Sequence, residues 1–293
     1  MPEIDSYQTE NGLPPVAPPS GKFIIQLFLV PALIVAVAVF LWVGARWLAN
    51  EGSAPDKLLN GLADANPEVR WRAADDLAQR LTRDDQLAAN PTVALRLSEL
   101  VRAAIDDIER AAPSASDPKR QDERKALLQK RKDIEFLCPC LGALIVPTGV
   151  PLLNELAQLN KGADAKSLVL LRRRAVWSLA NLGENLKRFD QLPADKKEAI
   201  LSEFQEIARA GGQKSHWAQL SADYLQETKK NIGVIQALAE CAKADDPYLR
   251  TLVGFALTFW EGDPSEKEQA EKTLLTLSRD DGHGVRIEIG EAD

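Results

Sequence analysis

A helix-opening pattern recurs four times along this chain, and any fold it adopts must accommodate all four copies. The first reads Asn66-Pro67-Glu68-Val69-Arg70-Trp71-Arg72-Ala73-Ala74, the second Leu171-Arg172-Arg173-Arg174-Ala175-Val176-Trp177, the third Asp246-Pro247-Tyr248-Leu249-Arg250-Thr251-Leu252-Val253, and the fourth Asp281-Gly282-His283-Gly284-Val285-Arg286-Ile287. Asn or Asp before Pro is a helix start, because the side chain caps an orphan N–H while Pro occupies the first turn, where its missing donor costs nothing. A shorter Leu-rich segment precedes each copy. The first two, Leu58-Leu59-Asn60-Gly61-Leu62-Ala63 and Leu152-Leu153-Asn154-Glu155-Leu156-Ala157, share Leu-Leu-Asn-x-Leu-Ala, and residues 234–239 and 273–277 take the same place. Such a pair is a helical hairpin whose apolar stripe cannot be buried alone, so the copies must stack on one another.

The Arg of each copy, Arg70, Arg172, Arg250 and Arg286, follows the previous one by 102, 78 and 36 residues. The last interval is one hairpin, the middle close to two, and the first leaves room for two plus an insertion. Degenerate hairpins are expected to fill the gaps, pairing 91–112 with 118–138 and 195–211 with 217–230. Strand signals are sparse, so the chain reads as all-α. The expected architecture is an α-solenoid over residues 53–293 with a charged insertion near 113–133. Val69, Leu171, Leu249 and Val285 are expected in its core, and Ala73, Ala175 and Val253 at close helix approaches.

These segments resemble the HEAT-repeat family, whose second helix opens with an acidic or Asn residue followed by Val-Arg and small residues at helical spacing. The resemblance is carried by residues 67–81, 171–183 and 247–260, and more weakly by 281–289. It implies a side-by-side stack whose surface binds other proteins. It also implies that Arg70, Arg172, Arg250 and Arg286 form a structural ladder, bonding to acidic or backbone groups of a neighbour; a ligand-binding row is the alternative. Similar repeats occur in lyases for bilin chromophores.

Residues 23–44, FIIQLFLVPALIVAVAVFLWVG, carry no charge and lie between Lys22 and Arg46. About 20 apolar residues span a bilayer core as a helix, so the reading is a single transmembrane helix over 23–47 that fixes the chain in the cell membrane. Trp42 and Trp47 are placed for the interface. A cleaved signal peptide would have a shorter apolar region behind a basic start, whereas the 1–22 tail is acidic, Pro-rich and reads as disordered. Lys22 on one side against Arg46 and Lys57 on the other leaves the orientation open.

A net charge of -7 argues against a nucleic-acid clamp. With 3 Cys and 2 His scattered along the chain, no structural zinc set assembles. No phosphate loop, dinucleotide fingerprint or nucleophile elbow is present, so neither cofactor nor metal is expected. Two local features stand out. Cys138-Pro139-Cys140 could be a redox pair, or two small buried side chains at a helix end marked by Pro139. The 119–132 stretch concentrates Lys119, Arg120, Arg124, Lys125, Lys130, Arg131 and Lys132, which could contact anionic lipid or an acidic partner, or form a solvated helix face. Pairs such as Asp75-Asp76 and Asp106-Asp107 read as solvated or capping. The expected function is a membrane-anchored, non-enzymatic scaffold that docks a partner protein through surface aromatics, with Trp71, Trp177, Tyr248 and Trp260 as candidates. The alternatives are an accessory subunit of a larger membrane complex, or a lyase or thiol redox factor built on Cys138 and Cys140.

Overall fold

The computed structural model describes residues 29–42, 55–115, 121–159, 165–226, 232–260 and 262–279, which fall into two units, Met1–Ala54 and Pro55–Asp293. In the first unit residues 29–42 form one uncharged helix, α1. No described helix is long and apolar enough to cross a membrane. The flanks of the expected span, 23–28 and 43–47, lie outside the described residues, as does the 1–22 tail.

The second unit is built from helices: α2 (Pro55–Leu62), α3 (Pro67–Arg83), α4 (Asp85–Ala88), α5 (Pro91–Ala115), α6 (Gln121–Gly142), α7 (Val150–Gln158), α8 (Ala165–Asp190), α9 (Ala194–Ala210), α10 (Ser215–Gln226), α11 (Val234–Cys241), α12 (Pro247–Leu257) and α13 (Pro264–Ser278), with one 3-10 turn at Pro147–Gly149. Their starts follow from local chemistry. The Asn66 side chain accepts from the Glu68 N–H at 3.0 Å and Asp246 from that of Tyr248 at 3.2 Å, each just ahead of a Pro. Asp263 and Glu266 form a reciprocal capping box at α13.

These helices stand in two rows. α2, α5, α7, α11 and α13 touch in sequence along one row, and α3, α6, α8 and α12 along the other, while α2/α3, α5/α6, α7/α8 and α11/α12 pair across. The hairpin over 91–138 therefore takes its place in the stack. The charged stretch from 121 to 132 is the first half of α6, with Leu127 and Arg131 buried against the rest. The hairpin at 195–230 differs. α9 and α10 pair with each other but sit beside the rows, since the α7/α8 pair meets α11/α12 directly. Ser221 on α10 and Thr148 in the 3-10 turn share a buried hydrogen bond of 2.8 Å, and Lys214 reaches Glu99 on α5 at 3.3 Å.

The rows pack closely because small residues line their contacts. A Cβ on Gly142 would stand 2.9 Å from the Ser178 carbonyl oxygen on α8, and one on Gly61 would stand 2.9 Å from Ala73 Cβ. α6 runs through Pro139 rather than ending there. Pro139 removes one helical N–H donor, but the Ala143 N–H still donates to the Pro139 carbonyl at 2.9 Å, and Cys138, Cys140 and Leu141 are completely buried around it. Leu171 and Leu249 are core, at 0% and 1% exposure, whereas Val69 is 39% exposed. α3 comes first in its row, so among the described residues of this unit it lacks the preceding helix that covers its counterparts. Trp260 likewise belongs to the core: its indole N–H donates to the Leu179 carbonyl at 3.0 Å, over Gly183.

Replacing Gly142 by Ala is expected to force α6 and α8 apart, lowering the unfolding free energy by about 1–3 kcal/mol. The same change at Gly211, which has open space around it but a φ of 76° and a ψ of -174° that side chains rarely adopt, should cost about 1–3 kcal/mol through backbone strain alone. Urea titration of the two variants checks both costs.

Candidate docking site on the second row of helices

The recurring Arg side chains serve the turns of their own hairpins. Arg70 Nη1 donates to the Asp64 and Ala65 carbonyls at 2.7 and 3.0 Å, Arg250 Nη1 to Ala244 at 2.8 Å, and Arg172 Nε to Ala157 at 2.9 Å. In each hairpin the second helix thus satisfies carbonyls left at the end of the first helix or in the turn after it. Arg70 also reaches the next pair through Asp133 on α6 at 2.7 Å. Arg286 lies outside the described residues.

One residue further on, Arg173 makes the tightest link in the second row. Its Nε and Nη2 donate to the two Asp246 carboxylate oxygens at 2.6 and 2.5 Å, and its guanidinium lies 4.8 Å from the Tyr248 ring centroid. Asp246 therefore caps α12 and binds α8 at once. The Arg173 hydrogen bonds hold its carboxyl below the usual carboxylate range, against the opposing effect of burial.

Aromatic side chains cross the exposed face of this row. Trp71 on α3 is 6.1 Å from Phe136 on α6, and Trp177 on α8 stacks on Phe255 of α12 at 5.6 Å and 16°, with Phe259 edge-on beyond. Trp71, Trp177 and Tyr248 keep 42%, 40% and 56% of their surface exposed. Between α6, α8 and α12 the face opens into a groove of about 350 Å³ whose walls include Leu170, Trp177, Tyr248 and Leu252. Glu135 and Arg174 complete it, and neither was distinguishable in the sequence from any other charged helical residue. Burial pushes the Glu135 carboxyl above its usual range, while Arg174 and Lys132 pull it back.

None of the cysteines lines this groove. Cys138, Cys140 and Cys241 are all buried free thiols. Positions 138 and 140 lie two residues apart on one helix and so face opposite ways. Cys140 Sγ contacts the Ala74 carbonyl on α3 at 3.2 Å, and Cys241 Sγ that of Ala157 on α7, also at 3.2 Å. Burial raises all three thiols, Cys140 up to about 12, which keeps them protonated and poorly nucleophilic.

The described part of the basic stretch is divided between engaged and solvent-facing side chains. Lys119 and Arg120 lie outside the described residues, Lys130 pairs with Asp107 on α5, Arg131 is 5% exposed, and Arg124, Lys125 and Lys132 face solvent. The acidic pairs are engaged structurally: Asp76 with Arg80, Asp106 with Arg102, Asp84 as the cap of α4. Among the described residues no group of three or more His, Cys, Asp or Glu could hold a metal ion.

No protein-family profile matches the sequence, and no curated protein matches it. A crystal structure of an engineered protein is similar over 80% of this chain and 93% of its own, at 14% identity and a TM-score of 0.28, a score at which neither fold nor function carries over.

Two outcomes test this geometry. Asp246→Asn should cost about 1–2 kcal/mol at neutral pH, since the pair is charged and hydrogen-bonded yet partly solvated, with the Arg173 side chain 32% exposed. A carboxylate held low stabilises the fold above its unfolded value and loses that contribution as pH falls through the folded one, so the difference between wild type and variant should fade below about pH 4. In the native protein at pH 8, iodoacetamide should leave all three cysteines unmodified, and urea should make all three reactive; rapid native labelling of Cys138 or Cys140 would contradict their burial.

Proposed function

We propose that the protein is a membrane-anchored docking scaffold, in which residues 23–47 hold the chain in a bilayer and the stacked hairpins form a HEAT-like α-solenoid whose second-row face binds a partner protein. The observation that carries this reading is the set of exposed aromatics on one row, Trp71 beside Phe136, Trp177 stacked on Phe255, and Tyr248 under Arg173. Large aromatics beside Arg are the side chains that dominate protein interfaces, because they bury much area at little conformational cost. The backbone bonds of Arg70, Arg172 and Arg250 stay within each hairpin, so they support the repetition of one hairpin unit rather than a ladder between neighbours. The uncharged sequence from 23 to 44 supports the anchor. Protonated, buried thiols favour binding over a redox role for Cys138 and Cys140.

A photo-crosslinking residue placed at Leu170, 59% exposed beside the groove, is expected to trap a discrete protein adduct in native membranes, and the same residue at Leu128 a weaker one. Trp71→Ala with Trp177→Ala should remove the adduct, since losing such anchors costs about 2 kcal/mol or more each. Deleting 23–44 should release the chain from alkaline-washed membranes. An intact adduct in the double variant would sink the docking face, and a membrane-bound deletion would sink the anchor.

A further inference from the structure

The α6/α8/α12 groove also defines the chemistry of what fits it. Its walls are already fixed: Trp177 is stacked on Phe255, and Tyr248 lies against an Arg173 guanidinium that Asp246 holds by two hydrogen bonds. A preformed wall loses little entropy when an apolar side chain enters. Leu252, at 7% exposure, provides an apolar surface between them.

Charge selects the rest of the occupant. Arg173 is spent on Asp246, which leaves Glu135 and Arg174 as the charges in the lining, with Lys132 near enough to act on Glu135. Arg174 and Lys132 are exposed and form no ion pair among the described residues, while Glu135 is half-buried, its carboxyl pushed up by burial and pulled back by those two cations. The exposed charges here are cationic and the one carboxylate is half-buried, so an anionic segment meets Arg174 first and a cationic one is repelled.

We infer that the α6/α8/α12 groove takes an acidic, apolar segment of a partner protein, with a Leu- or Phe-type side chain between Trp177, Leu252 and Tyr248 and a neighbouring carboxylate on Arg174. This rests on the docking reading above and adds the partner's chemistry to it.

The test uses the full chain in detergent micelles and a fluorescent peptide in which Glu alternates with Leu and Phe, beside its counterpart with every Glu replaced by Lys. The Glu peptide binds; its affinity falls about tenfold or more in Arg174→Glu and in Trp177→Ala, less in Arg174→Gln, and stays unchanged in Lys267→Glu, an exposed position on α13. Thermal unfolding of each variant within a few degrees of wild type shows that the fold persists. Equal binding of the Lys peptide, a Glu peptide that ignores Arg174→Glu, or no binding at all overturns the inference. So does displacement of the Glu peptide by phosphatidylserine vesicles in an Arg174-dependent manner, which would give the groove to a lipid headgroup. If the Leu170 adduct survives while the Glu peptide fails, the acidic partner falls alone; if the adduct is also absent, the docking reading falls with it.

Discussion

The grip on α6 from both sides is the constraint on which the rest of the second unit depends. Toward α3, Cys140 Sγ packs on the Ala74 carbonyl; toward α8, Gly142 admits the backbone of Ser178. Ile134, Cys138, Cys140 and Leu141 are completely buried in that embrace. A fully buried aliphatic side chain is worth about 1.5–3 kcal/mol, but only at contact distance, and contact is possible because the residues at the closest points are Gly, Ala, Ser and Cys. The same logic explains Cys-Pro-Cys. Two small polarisable side chains on opposite faces let one helix lie close to two neighbours, and the proline costs a hydrogen bond at a place where burial offsets it.

Polar links then set the order of the stack rather than its bulk stability. Arg70 to Asp133, Arg102 to Glu155 and Arg173 to Asp246 each join one hairpin to the next. Partly exposed pairs of this kind contribute modestly to stability, yet each demands one register between neighbouring helices, since a guanidinium fork meets a carboxylate in few geometries. Asn185 to the Gly142 carbonyl and Asn154 to the Ile232 carbonyl do the same with neutral groups. The intra-hairpin Arg bonds differ in satisfying carbonyls within each hairpin rather than between hairpins.

Local chemistry was legible in the sequence and long-range placement was not. Asn66-Pro67 and Asp246-Pro247 announce helix starts because capping involves residues within one turn. The exposed anchors Trp71, Trp177 and Tyr248 and the buried Trp260 look alike as letters. Trp260 is inside because Gly183, 77 residues away, leaves room for its ring. Val69 and Leu171 occupy the same repeat position, and only their place in the row separates exposed from buried. The α9/α10 hairpin reads as another copy, but Ser221 and Lys214 attach it to Thr148 and Glu99 instead of to the rows. Glu135, Arg174 and Tyr248 come from three helices, and no periodicity reports that they meet.

The Arg173 to Asp246 pair ties helix packing and the shape of the groove to the same atoms. It fastens the start of α12 to α8, and by holding the guanidinium against Tyr248 it also shapes one wall of the groove. If the groove docks a partner as proposed, the wall that partner meets is as rigid as the junction between two hairpins. The cost is that Asp246 cannot be altered for one role without disturbing the other. Arg174, one residue further along the same helix and turned to solvent, forms no ion pair among the described residues, so the charge in the groove can change while the α8 to α12 junction is kept.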